Sequence, residues 1–176
     1  MAMVKIKVPI EVDVTQVNKT WFTGKKKLDN TKHYVIGFFQ REAKSGARIM
    51  SLVNNKPETI KNMILEVVGT GAMIYCEENI LPIELNEVYE IHELKPEDGH
   101  VRGDVHINNV KNMWRDLKRV IKRTHIQVSQ KHIQLYCNEV AWRINHLHLT
   151  PHEKFDLLLS NCAVKDGKGT YKNLIK

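Results

Sequence analysis

Four cations, Lys111, Arg115, Lys118 and Lys122, recur at i, i+4, i+7 and i+11, the spacing that lines side chains along one face of an α-helix. Arg119 and Arg123 widen the row, and the stretch from Asn108 to Thr124 sets six positive charges against the single acid Asp116. A solvated helix face commonly alternates sign to form i,i+4 pairs, whereas a row of one sign repels itself, a cost that a phosphate backbone would remove. The chemistry this spacing suits is direct binding of phosphates. Lys25, Lys26 and Lys27 form a second basic cluster, and 27 Lys and Arg against 20 Asp and Glu leave the chain at +7, a balance that favours a polyanionic partner. Other reactive side chains are less promising. His146, His148 and His152 have no cysteine or carboxylate at a spacing that completes a tetrahedral set, so no metal and no cofactor is expected. Cys76, Cys137 and Cys162 are an odd number without a CxxC pair, which argues against a disulfide framework or zinc ribbon and for a reducing, intracellular compartment.

The elements that must position these residues follow from periodicity. Val4 to Val17 alternates and is rich in Val and Ile, Tyr34 to Phe39 is a short apolar run, and Arg48 to Val53 is another; these predict three strands joined by turns. At Asn55, the expected N-cap, the pattern becomes helical, with Pro57 in the first turn and Ile60, Met63, Ile64 and Val67 at helical spacing. Gly69 and Gly71 end that helix. Ala72–Cys76 and Val88–Leu94 predict two further strands, and Lys95–Gly103 a polar loop. Two helical stripes follow, Val110, Trp114, Leu117 and Ile121, then Ile133, Cys137, Val140 and Ile144. The cationic row lies one residue on from the first stripe, about 100° around the same helix. Trp114 and Trp142 fall on or beside the stripes and read as core, as does Cys137. Thr150-Pro151-His152-Glu153 is a capping box opening a last helix. No stretch approaches the ~20 apolar residues that span a bilayer, and no signal-peptide pattern opens the chain. Three strands, a helix, two strands and more helices cannot be a simple βαβ repeat. They predict an α/β mixed sheet of five strands flanked by helices, whose first three strands meander and whose fourth is added in parallel through a helical crossover.

Four ordered stretches carry a family resemblance. Val17-Asn18-Lys19-Thr20-Trp21-Phe22-Thr23-Gly24-Lys25 resembles the "V-D-E-T-W-x-G-G-K" signature of bacterial insertion-sequence transposases related to the eukaryotic Merlin elements. Met73-Ile74-Tyr75-Cys76-Glu77-Glu78 resembles that family's "x-I-Y-T-D-E" strand end. The segment from Val105 to Arg119, with His106, Asn108, Trp114, Leu117 and Lys118, resembles "V-H-x-N-x-x-E-x-x-W-x-x-L-K-R". Ser129 to Asn145, with His132, Tyr136, Asn138, Glu139 and Arg143, resembles the closing helix. The likeness spans about residues 10 to 162 and implies an RNase H-like fold over residues 1–162; the composition of residues 163–176, basic with Gly167 and Gly169, predicts a flexible tail.

In that family three carboxylates would hold two divalent metals for phosphodiester cleavage and strand transfer. On the matched motifs their places are taken by Asn18, Glu77 and Lys111, whose charges sum to zero where the family has −3. Hard divalent cations need anionic oxygens, so the site is expected to be degenerate and no residue catalytic. An alternative alignment takes Asp13 as the first carboxylate and borrows Glu78 and Asp104; the bland reading of Asp13 and Asp104 is as surface carboxylates. Together these observations predict a repurposed transposase domain that binds DNA mainly through phosphates without cutting it, using Lys25, Lys26, Lys27, Lys111, Arg115, Lys118, Arg119, Lys122 and Arg123. Lys111 and Lys118 replaced together are expected to flatten its salt dependence. The competing readings are an active metal-dependent nuclease or transposase using shifted carboxylates, and a protein-interaction scaffold. By analogy the partner set is DNA and a second copy of the chain, with no membrane, and the location is nuclear if the host is eukaryotic.

Overall fold

The computed structural model describes residues 9–18, 32–41, 46–95, 97, 101–102, 105–124 and 128–163. Lys25–Lys27, Asp104, most of the first motif and the basic tail lie outside the described residues. A five-stranded sheet has the order β3-β2-β1-β4-β5, with β1 at Ile10–Asn18, β2 at Lys32–Gln40, β3 at Ala47–Leu52, β4 at Met73–Glu77 and β5 at Glu90–Leu94. The first three strands meander in antiparallel. Helix α1, Pro57–Val67, then crosses to β4, which runs parallel to β1, and β5 runs parallel to β4. This is the mixed sheet that the order of apolar runs predicts.

Alternation along β1 and β2 assigns the two faces. Ile10, Val12, Ile36 and Phe38 pack under α1 with Ile60, Ile64 and Val67. Val17 and Val35 face the opposite way, onto α2, Asn108–Thr124, and α3, Ile133–Asn145. Helix α2 buries Val110, Met113, Trp114, Leu117 and Ile121, the stripe read from its sequence, and α3 buries Ile133, Cys137, Val140 and Ala141.

Two local expectations are corrected. The N-cap of α1 is Lys56, not Asn55, and it makes no side-chain capping bond. Asn54 supplies the local bonds instead, accepting from the Lys56 N–H and the Thr59 hydroxyl; with Pro57 at the start, the turn closes one residue later than composition suggests. The expected polar loop contains β6, Val101–Arg102, paired with β7, Val105–His106, a ladder too short to show any period. The described residues divide into two compact units after Asn145. In the second, α4 spans Pro151–Ala163 and its capping box is formed: the Thr150 N–H and hydroxyl donate to Glu153 Oε2, both at 2.7 Å, and the Glu153 N–H returns a bond to the Thr150 hydroxyl. No described helix is long and apolar enough to cross a membrane.

Candidate functional site: a carboxylate pair held by a lysine

The polar phase of β1 does not face water. Glu11, Asp13 and Thr15 project towards α2 and engage it in order, Glu11 at Asn109 and Val110, Asp13 at Lys111 and Trp114, Thr15 at Lys118. The match has a simple cause. Two residues of strand advance about 6.7 Å and four residues of helix about 6 Å, so a strand and a helix lying side by side meet at every second residue of one and every fourth of the other.

Glu11 is fully buried at the N-terminus of α2. Its Oε2 accepts the N–H groups of Asn109 and Val110 at 2.9 and 3.0 Å, and its Oε1 accepts from Asn109 Nδ2 at 2.8 Å. A carboxylate here satisfies helix N–H groups that have no partner within the helix and complements the helix dipole. Arg41 Nε adds a charged bond at 3.1 Å, while its Nη2 donates to the His106 carbonyl and its guanidinium lies 3.7 Å over the Tyr75 ring. His106 Nδ1 sits 3.1 Å from Glu11 Oε1, without the alignment of a hydrogen bond. Glu11 therefore fixes where α2 begins and, less than a turn later, where Lys111 stands.

β1 and β4 pair at Ile10 with Ile74 and Glu11 with Tyr75. Carried two residues further, the same register sets Asp13 level with Glu77, the last residue of β4. Lys111 Nζ lies between them, 2.8 Å from Asp13 Oδ2 and 2.7 Å from Glu77 Oε1. Burial by itself lowers the Lys111 pKa, but hydrogen bonds to both carboxylates, and their charges, outweigh it and leave the ammonium above its ordinary value. Asp13, only 2% exposed, also accepts from the Trp114 indole N–H at 2.7 Å. That bond depends on Gly37, which faces Asp13 across the sheet: a Cβ there would come within 2.5 Å of Trp114 Cη2.

The trio that the structure brings together is thus Asp13, Glu77 and Lys111. Asn18 is exposed at the far end of β1 opposite Lys32, about 17 Å of strand beyond Asp13, and has no part in it. Asp13 is a buried anion rather than a surface one, and the three side chains sum to −1 rather than zero. Of the cationic row, Lys111 is spent on the carboxylates and Lys118 leans on the Thr15 hydroxyl at 3.0 Å. Arg115, Arg119, Lys122 and Arg123 are exposed, Arg119 pairing with Asp116. Glu11, Thr15 and Gly37 were not singled out in the sequence. The signal for Glu11 and Thr15 is a run of polar residues at i, i+2 and i+4 with Asp13, in a strand whose other phase is largely apolar, a pattern shared by any strand with one wet face; Gly37 leaves none.

The other reactive groups do not converge. The His146 and His148 rings stack on each other, and His152 pairs with Asp156. Burial, followed by the charges of Glu93, Asp13 and Glu77, pushes the Cys76 thiol up to about 12. Burial does the same at Cys137, to about 12, so neither is a nucleophile at neutral pH.

Asp13 Oδ1 is buried with no hydrogen-bond partner, the kind of oxygen a cation would satisfy. A two-metal set nevertheless does not fit these residues. Among the described residues a third carboxylate is lacking, the ammonium already stands at hydrogen-bond distance from both anions, and a divalent ion beside it would meet repulsion of several kcal/mol even at an effective dielectric of 20. Among the described residues no group of three or more His, Cys, Asp or Glu is placed to hold a metal.

A β3-β2-β1-β4-β5 sheet with β1 parallel to β4, helices on both faces, and acids level with each other on the two central strands defines an α/β domain of the RNase H-like class. Residues 9–145 match the family model of the ISXO2-like transposase domain, and the chain belongs to that family. Comparison with curated protein sequences returned no match.

Proposed function

We propose that this domain binds DNA through phosphate contacts and does not cut it. The observation that carries the reading is Lys111 Nζ seated between Asp13 and Glu77, where a tethered monovalent cation supplies the counter-charge that a phosphodiester-cleaving site would take from metal. The exposed cations of α2 support the binding half: Arg115, Lys122 and Arg123 face solvent, the helix's one acid, Asp116, pairs with Arg119, and Lys118 joins them at the edge of β1. Lys25, Lys26 and Lys27 extend the same chemistry. The test is a titration of duplex DNA at two salt concentrations, with and without Mg²⁺. Affinity is expected to fall steeply with salt and to be indifferent to Mg²⁺, and Arg115→Ala with Lys122→Ala to reduce the slope of log K against log salt by about two. An unchanged slope would remove α2 as the contact surface; Mg²⁺-dependent nicking abolished by Glu77→Gln would overturn the non-cutting half.

One observation favours a second reading, self-association. Phe155, Leu158 and Leu159 are exposed and fall at i, i+3 and i+4, one side of α4. Light scattering that finds a dimer broken by Phe155→Glu would support it.

A further inference from the structure

Beyond Glu11 and Tyr75 the two central strands no longer pair. β4 stops at Glu77, while β1 runs on to Asn18, bonded to β2 throughout but to β4 only at Ile10 and Glu11. Among the described residues the rest of that edge has no strand partner, and the gap opens into a cleft of about 540 Å³ between β1, the start of α1 and the loop after β4, well within the range of small-ligand sites. Among the described residues its lining combines neutral hydrogen-bonding side chains, Gln16, Tyr34, Asn55 and Asn79, with apolar Val14, Ile60, Ile80 and Leu81 and a single charge, Lys118. A polyphosphate would find too little charge there, and a purely apolar ligand would leave the amides unpaired. One anion joined to a flat body with donors and acceptors on its edge fits both. Asn and Gln amides match the edges of nucleobases, and an aromatic ring offers a stacking surface to any of them. Lys118 belongs at once to the cleft and to the cationic row of α2, so a strand whose phosphates follow that row brings a neighbouring base to the opening.

We propose that this cleft takes one unpaired nucleotide of a bound DNA strand, with its phosphate at Lys118 and its base among Gln16, Tyr34, Asn55 and Asn79. The inference rests on the DNA-binding reading and adds a preference that phosphate contacts alone would not give. Asn79 offers a clean probe, because it holds a positive φ of 62°, which glycine adopts freely while removing the amide.

The full chain is titrated against two duplexes of equal length, one fully paired and one carrying a single unpaired 2-aminopurine. The unpaired duplex is expected to bind about ten-fold tighter, with a change in 2-aminopurine emission. Gln16→Ala with Asn79→Gly should erase both differences and leave affinity for the paired duplex intact. Equal affinities with unaltered emission, while paired DNA still binds in a salt-dependent manner, would overturn the cleft and spare the DNA-binding reading; no binding to either duplex would remove both. Loss of the emission change at micromolar deoxyadenosine monophosphate would show a site for free nucleotides and overturn the strand-held form.

Discussion

Replacing Lys111 with Met keeps the length and apolar stem of the side chain and removes its charge. Asp13, 2% exposed, would then face Glu77 with only the Trp114 N–H bonded to it. Coulomb's law at an effective dielectric of 20 gives roughly 6 kcal/mol of attraction for the 2.8 Å contact, most of which merely offsets the desolvation of the two charges. Breaking such a pair from one side is more costly than its net worth, typically about 3–5 kcal/mol, because an anion is left buried without a counter-charge. Glu77 is 36% exposed and water covers its share, so only the Asp13 half counts and the lower end applies, ~3 kcal/mol. In urea denaturation this is a clear shift of midpoint; in thermal denaturation it is roughly 6–12 °C for a chain of this size. Asp13→Asn should cost much less in the Lys111→Met background than alone, since the stranded charge is then gone, and the double-mutant cycle isolates the pair. The pH dependence has a definite sign. A lysine whose folded pKa is raised contributes stability that is complete below its unfolded value and lost as pH climbs through the folded one. The gap between the wild type and Lys111→Met should therefore hold constant from neutrality up to 10.5, the ordinary value, and narrow only above it. A gap under about 0.5 kcal/mol, or one that closes below that pH, would refute the bridging role of Lys111.

Gly37→Ala should destabilise by about 1–3 kcal/mol through overpacking, since its Cβ would meet Trp114 at 2.5 Å; an unshifted urea midpoint would show that the indole has room to move. Glu11→Gln retains shape but removes the anion that faces Arg41 and weakens the cap of α2, and is expected to cost about 3 kcal/mol and to speed amide exchange at Asn109 and Val110, whose unchanged protection would count against the cap. Acidification should loosen the start of α4. The Thr150 hydroxyl and N–H hold Glu153 below its ordinary 4.5, so the cap is intact above that value and lost as pH falls through the depressed one, read as helicity whose pH dependence Thr150→Ala weakens and Glu153→Gln abolishes.

Much of this protein is determined by local sequence. The apolar phase of β1 and β2 and the stripe of α2 appear as drawn, because burial of one face per element is a local pattern with a fixed period. The order of those elements sufficed for the mixed sheet, and four ordered motifs carried the family likeness. Which acid on β1 stands beside Glu77 was decided by tertiary structure alone. A motif match points to Asn18, but parallel pairing begins at Ile10 and Ile74, so the end of β4 comes level with Asp13. The same alternation that sets Glu11, Asp13 and Thr15 on one face is silent on whether that face meets water or a helix; it meets α2, at the matching rise of strand and helix, and two acids and a lysine become a closed ion-pair site. Register between strands distant in sequence and the layer packed upon them are non-local quantities, fixed only when the whole sheet and its helices are assembled.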